Sequence, residues 1–133
     1  MKRVGIVIGE FHRDIAEAML EDAKKVAGAE KAEIKEIIWV PGTYEAPLMV
    51  RKLLKRGDID CVVVLGFIEK GETLHGEEMG LVTSFIFKKL ELEYTKPVGM
   101  GIIGPGATKE QAWKRISYAG AAVRAALKMC DKF

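Results

Sequence analysis

Cys61-Val62-Val63-Val64-Leu65-Gly66, running on through Phe67-Ile68-Glu69-Lys70 into Gly71-Glu72-Thr73-Leu74-His75, is the stretch that decides how this chain folds. An apolar run with no polar alternation reads as a strand covered on both faces, the kind found inside a parallel sheet. The run gives way to a glycine turn and then to one of only two histidines in the chain, at a predicted helix start. In open α/β sheets ligands bind beyond the carboxyl ends of the strands, and a glycine loop opening a helix offers backbone N–H groups to an anion. The segment is therefore both the fold's centre and the first place to look for chemistry.

Working outward, three more β-type runs appear, Arg3 to Ile8, Ile34 to Val40 and Pro97 to Ile103, each followed by a helical pattern. The βαβαβαβα order predicts an α/β fold, a three-layer αβα sandwich with a four-stranded parallel sheet and flavodoxin-like architecture, in one domain spanning residues 1–133. The second helix repeats Ala46, Met49, Val50, Leu53 and Leu54 and stops at Gly57-Asp58, with Pro47 in its first turn, where a missing N–H costs little. Leu74 to Leu92 contains β-branched and aromatic residues that suit a strand, yet its length suits a crossover helix, and it is read as helix. The last helix carries one apolar stripe, Trp113, Ile116, Gly120, Val123, Leu127 and Cys130, after the Pro105-Gly106 turn.

The chain has 133 residues, enough to bury a core without staples. Its 21 basic residues nearly balance 19 acidic ones, so no strong field selects nucleic acid or a membrane surface. Cys61 and Cys130 lie far apart and outside any Cys-x-x-Cys spacing, which fits reduced thiols rather than a disulfide framework or zinc site. Met1-Lys2-Arg3 leads straight into Val4-Gly5-Ile6-Val7-Ile8, which is no signal peptide, and no apolar stretch approaches a membrane span. A soluble, cytoplasmic protein is expected.

Right-handed crossovers place the segments Gly9 to Asp14, Pro41 to Glu45, Phe67 to His75 and Gly104 to Gly106 at one edge of the sheet, where a shared pocket can form. His75, in the first turn of its helix, is a candidate proton acceptor, the alternative being a solvated or capping residue. Phe11 offers a ring for stacking a flat heterocycle, or simply packs on the first helix. Tyr44 is open to the same two readings, while Glu45 can accept from hydroxyl groups or merely favour its helix start. Arg115 can pair bidentately with an anion, or be an ordinary surface arginine. Gly71-Glu72-Thr73 can hold the same anion through backbone N–H groups, or be a plain turn. The two histidines share no metal-ligand spacing, and neither a G-x-G-x-x-G nor a Walker motif is present, so no metal or nucleotide cofactor is expected.

Taken together, Gly9-Glu10-Phe11-His12-Arg13-Asp14-Ile15, Trp39-Val40-Pro41-Gly42-Thr43-Tyr44-Glu45-Ala46-Pro47-Leu48, Leu65-Gly66 through Gly71-Glu72-Thr73-Leu74-His75, and Lys114-Arg115 closely resemble the 6,7-dimethyl-8-ribityllumazine synthase family, in its archaeal-like short form. The match runs nearly end to end. The resemblance implies a transferase of riboflavin biosynthesis that condenses 5-amino-6-(D-ribitylamino)uracil with 3,4-dihydroxy-2-butanone 4-phosphate, without cofactor. It implies that His75 shuttles protons. Phe11, Thr43, Tyr44, Glu45, Phe67, Ile68 and Glu69 would hold the ribitylaminouracil, with Met100 laid over the ring from a neighbouring subunit. Glu72, Thr73 and Arg115 would bind the phosphate. It further implies a homo-oligomer, a pentamer that in some members assembles into a decamer or sixty-subunit shell, and a functional link to riboflavin synthase, which consumes the product.

Several positions depart from the family pattern. Met100 stands where phenylalanine is usual, His12 where asparagine is common, and Glu69 where the residue is more often aliphatic. A lysine common in the last helix is replaced around Ala119 to Val123. Competing readings are the related archaeal-type riboflavin synthase, a flavodoxin-like binding or receiver module, and a non-catalytic shell protein. The presence of both His75 and Arg115, and the poor acidic cluster of Glu10 with Asp14, favour the enzyme.

Overall fold

The computed structural model describes residues 1–133. Its strands are β1 (Arg3–Gly9), β2 (Glu33–Val40), β3 (Cys61–Glu69) and β4 (Val98–Ala107), all parallel and ordered β2-β1-β3-β4. The four runs read from sequence are these strands, and the α/β class with a four-stranded parallel sheet holds. The helices are α1 (Arg13–Ala29), α2 (Ala46–Leu54), α3 (His75–Tyr94), α4 (Lys109–Trp113) and α5 (Tyr118–Cys130), with a single 3-10 turn at Thr43–Glu45.

Successive side chains on a strand point to opposite faces, and here both faces are dry. Val4, Ile6 and Ile8 of β1 and Cys61, Val63, Leu65 and Phe67 of β3 pack with Ile15, Met19 and Ala23 of α1 and Val123 and Leu127 of α5. Val7, Val62 and Val64 turn the other way, onto Val50, Leu53 and Leu54 of α2 and Phe87 and Leu90 of α3. Burial on both sides is why β3 tolerates no polar residue until Glu69, whereas the edge strand β2 mixes Glu33, Lys35 and Glu36 with its apolar residues. In α3 the β-branched Thr83 is accommodated because its hydroxyl donates to the Met79 carbonyl at 2.7 Å, leaving no buried polar atom unpaired.

One expectation is corrected. The segment after Thr108 is two helices rather than one. A capping box starts α4: Gln111 N–H donates to Thr108 Oγ1 at 3.1 Å and Thr108 N–H to Gln111 Oε1 at 2.9 Å. The ladder then tightens into three-residue steps, with Arg115, Tyr118 and Ala119 donating to the carbonyls of Ala112, Arg115 and Ile116. The N–H of Gly120 goes instead to Asp22 Oδ2 of α1, at 2.8 Å. A Cβ on Gly120 would lie 2.5 Å from Val26 Cγ2, so glycine is what lets α5 close onto α1. Trp113, expected in the buried stripe, is consequently exposed, and Arg115 sits in the turn between the helices rather than on one.

Both cysteines are free, and the fold brings them together. The Cys61 thiol, buried at the start of β3, is pushed up by its hydrogen bond with Cys130 and by burial. No helix is long and apolar enough to cross a membrane.

At the amino end of the sheet, Arg56 grips Asp58 bidentately at 2.8 and 2.9 Å and also pairs with Glu36. The Arg56 hydrogen bonds hold the Asp58 carboxyl down to about 2. A folded-state value below the unfolded one stabilises at and above the ordinary carboxylate range and is lost on acidification. The melting temperature is therefore expected to fall as pH drops from 3.8 toward about 2. Asp58→Asn should show a slightly shallower fall over that interval by circular dichroism, a difference kept to a few degrees or less by solvent exposure.

Candidate active site

The strand order places a topological switch between β1 and β3: the chain leaves β1 for β2 on one side and crosses back to β3 on the other. Adjacent loops at such a point run apart, and the crevice between them is where ligands bind in open α/β sheets. A cavity of about 440 Å³ opens there, a size typical of small-molecule sites. Phe11 from the β1–α1 loop, Thr43 and Glu45 from the 3-10 turn, Phe67, Ile68 and Glu69 closing β3, and Thr73 and His75 at the start of α3 line it. Three of the four loops read from sequence thus converge on one pocket.

Each side chain is held by its local structure. Phe11 is 52% exposed, an unusual state for a phenylalanine, with its ring edge-on to His12 at 4.3 Å between centroids. His12 caps α1 in the left-handed region, at φ 55° and ψ 69°, which turns its side chain back toward β3. Its ring lies 5.3 Å from Phe67, and its Nε2 meets Glu69 Oε1 at 2.9 Å. Thr43 is buried beneath the pocket, close to Gly66 of β3.

At the start of α3, His75 is solvent-facing and its N–H donates to Thr73 Oγ1 at 3.3 Å. The N–H groups of Gly71, Glu72, Thr73 and Leu74 make no hydrogen bond within the chain. They crown the positive end of a 20-residue helix, an arrangement suited to an anion. Tyr44, outside the cavity wall, stands edge-on to His75 with centroids 5.8 Å apart. Glu72 is likewise exposed and outside the wall. Nowhere do three or more His, Cys, Asp or Glu side chains cluster as a metal site would require.

Two predicted site residues lie elsewhere in the chain. Arg115, its guanidinium donating to the Gln111 carbonyl at 3.0 Å, lines a separate cleft with Gly104, Pro105 and Tyr118. Met100, half-buried on β4 opposite Val64, packs against the α2–α3 core. The pairing of His12 with Glu69 and the approach of Tyr44 to His75 were not read from sequence. The signal for the first was present: both residues sit at the carboxyl ends of adjacent strands, across the switch point.

The model of the 6,7-dimethyl-8-ribityllumazine synthase family matches residues 1–133. The chain is 49% identical over 131 residues to the 6,7-dimethyl-8-ribityllumazine synthase of Metallosphaera sedula, covering 98% of this chain and 87% of that protein. It is 47% identical over 133 residues to that of Staphylothermus marinus, covering 99% and 89%. With that of Methanoculleus marisnigri it shares 44% identity, covering 98% and 96%. The chain belongs to the lumazine synthase family. In this lumazine synthase fold, the pocket and the Arg115 cleft are separated by the end of β4, where Gly104 presses on the β3 backbone. Gly104 has φ +93°, and a Cβ there would lie 2.2 Å from the Ile68 carbonyl oxygen in the pocket wall.

Gly104→Ala is therefore expected to cost about 1–3 kcal/mol, seen as a melting temperature lowered by several degrees. Gly57→Ala, where nothing lies within 4 Å of the added methyl, should melt at or slightly above the parent temperature.

Proposed function

We propose that the chain condenses 5-amino-6-(D-ribitylamino)uracil with 3,4-dihydroxy-2-butanone 4-phosphate to 6,7-dimethyl-8-ribityllumazine, phosphate and water. The observation that carries this reading is the convergence of Phe11, Glu45, Phe67, Glu69, Thr73 and His75 on one cavity in a chain matched along its full length by this family.

In this reading the half-exposed Phe11 ring stacks on the pyrimidine, and Phe67, Ile68 and Glu69 line its edge. Thr43, Tyr44 and Glu45 hold the ribityl chain, whose hydroxyls suit a carboxylate acceptor. The butanone phosphate lies toward the start of α3, its phosphate on the free N–H groups around Glu72 and Thr73. The 5-amine attacks the ketone, and water leaves to form an imine. His75 takes the amine proton and returns one to the departing hydroxyl. Phosphate is then eliminated, and the ribitylamino nitrogen closes the ring with loss of a second water. Holding two reactants in one crevice supplies much of the acceleration, so a single proton shuttle and an anion clamp suffice.

Because Arg115 faces its own cleft within a chain, we infer that the clamp closes between subunits, with Arg115 and Met100 of a neighbour laid over the pocket. Helix α3 supports association: Leu74, Leu81, Phe85 and Leu92 are between 68% and 79% exposed and repeat along one face. Large exposed apolar side chains at this spacing, with the charged Glu78 and Lys88 between them, support a protein contact. The assembly in this reading is a homo-pentamer, alone or as the unit of a decamer or sixty-subunit shell, soluble and cytoplasmic, delivering its product to riboflavin synthase.

Purified protein given the two substrates should form the lumazine, followed by its fluorescence. His75→Ala is expected to lower kcat by roughly 10²–10⁴. Arg115→Ala should chiefly raise KM for the butanone phosphate, by about tenfold or more. Undiminished turnover in both variants would overturn the assignment. Sedimentation velocity should find a pentamer or a multiple of it, and a stable, active monomer would refute the shared site.

A further inference from the structure

His12 and Glu69 form one interaction across the switch point. His12 Nε2 lies 2.9 Å from Glu69 Oε1. A carboxylate oxygen only accepts, so in this pair Nε2 donates. The other oxygen, Oε2, has no hydrogen-bond partner in the chain, while Glu69 itself lines the pocket. The same imidazole abuts Phe11 at 4.3 Å and Phe67 at 5.3 Å. Its backbone is left-handed, φ 55°, a conformation that histidine adopts more readily than most residues other than glycine. One ring thus contacts two aromatic side chains of the pocket wall and its only half-buried carboxylate at the β3 end.

We propose that His12 is a positioning residue that clamps Glu69, so that the free Oε2 accepts a hydrogen bond from an N–H of the pyrimidine, adding a specificity contact for the ribitylaminouracil. The proposal rests on the functional reading above and deepens it at the same site. An aliphatic residue at position 69 would offer the ring edge only packing. A carboxylate there discriminates for N–H donors, and an unclamped one would lose several rotamers' worth of freedom on binding. The butanone phosphate, bound toward α3, makes no use of the pair, and an added negative charge beside it would oppose its binding. The contact therefore selects between the two substrates.

The test is a pair of conservative variants read separately for each substrate. Glu69→Gln keeps the shape and removes the charged acceptor. His12→Asn removes the imidazole, and asparagine tolerates the left-handed backbone. Circular dichroism melts confirm that both fold. KM for the pyrimidine, and Kd for the lumazine product by fluorescence titration, should each rise about tenfold in Glu69→Gln. KM for the butanone phosphate should stay within about twofold of the parent value. His12→Asn should reproduce the same split, and the double variant should be no worse than the poorer single one, because the two residues act as a unit. Unchanged pyrimidine KM and product Kd in Glu69→Gln would overturn the proposal, as would equal shifts for both substrates or fully multiplying effects in the double variant. A parent protein that forms no lumazine refutes the functional reading and the clamp with it. An active parent with unaltered variants refutes the clamp alone.

Discussion

Everything at the working end of this molecule depends on β1 and β3 lying side by side in parallel, although α1, β2 and α2 separate them in sequence. That pairing buries Val4, Ile6 and Ile8 against Cys61, Val63 and Leu65 on one face, and it forces the loops leaving the two strands to diverge. The crevice they leave is a consequence of topology rather than of any particular side chain. Chemistry is then a matter of which residues end each strand. Phe11 and His12 come just after β1, and Phe67, Ile68 and Glu69 finish β3, so an exposed aromatic ring, an imidazole and a carboxylate meet across the crevice, with His12 Nε2 2.9 Å from Glu69 Oε1.

Much of this was legible because its causes are local. The unbroken apolar run of β3 is a direct result of burial on both faces, and it could not have been an edge strand. The helix at His75–Tyr94 was legible against its β-branched composition because parallel neighbours require a long crossover, and that demand overrides propensity. The break between α4 and α5 was not legible. Its apolar spacing is helical throughout, while the ladder breaks at residues 114–117 and the first turn of α5 is fastened from a distance: Asp22, 98 positions away, takes the Gly120 N–H that a continuous helix would use internally. Periodicity reports which face is buried and is silent about a distant side chain competing for a backbone donor.

The site divides along the same line. Phe11, Thr43, Glu45, Phe67 to Glu69, Thr73 and His75 line one cavity because the strand-end loops, whose convergence topology predicts, bring them together. Met100 is named only through resemblance and Arg115 only as a possible anion partner, and neither faces the cavity that holds the others. A residue that acts on a neighbour's pocket leaves no periodic or spacing signal in its own chain. The exposed apolar residues of α3 are what such an arrangement would cover, since leucine and phenylalanine side chains more than two-thirds exposed are poorly accommodated by water.

In the shared-site reading proposed above, few reactive groups would be needed in each subunit. One imidazole stands at the mouth of the pocket, unburied, with a tyrosine edge beside it and free backbone donors below. Nothing there is strongly desolvated within the chain. Electrostatic stabilisation grows when water is excluded, and in the shared-site reading it is the neighbour's surface, not further side chains of this chain, that would exclude it. Under that arrangement association and catalysis are linked: the apolar stripe that drives subunits together would also dry the crevice in which the phosphate departs. In that same reading, the left-handed backbone at His12 belongs to the part of the site that one chain pre-sets at the pyrimidine edge, while closure over the phosphate would wait for the partner.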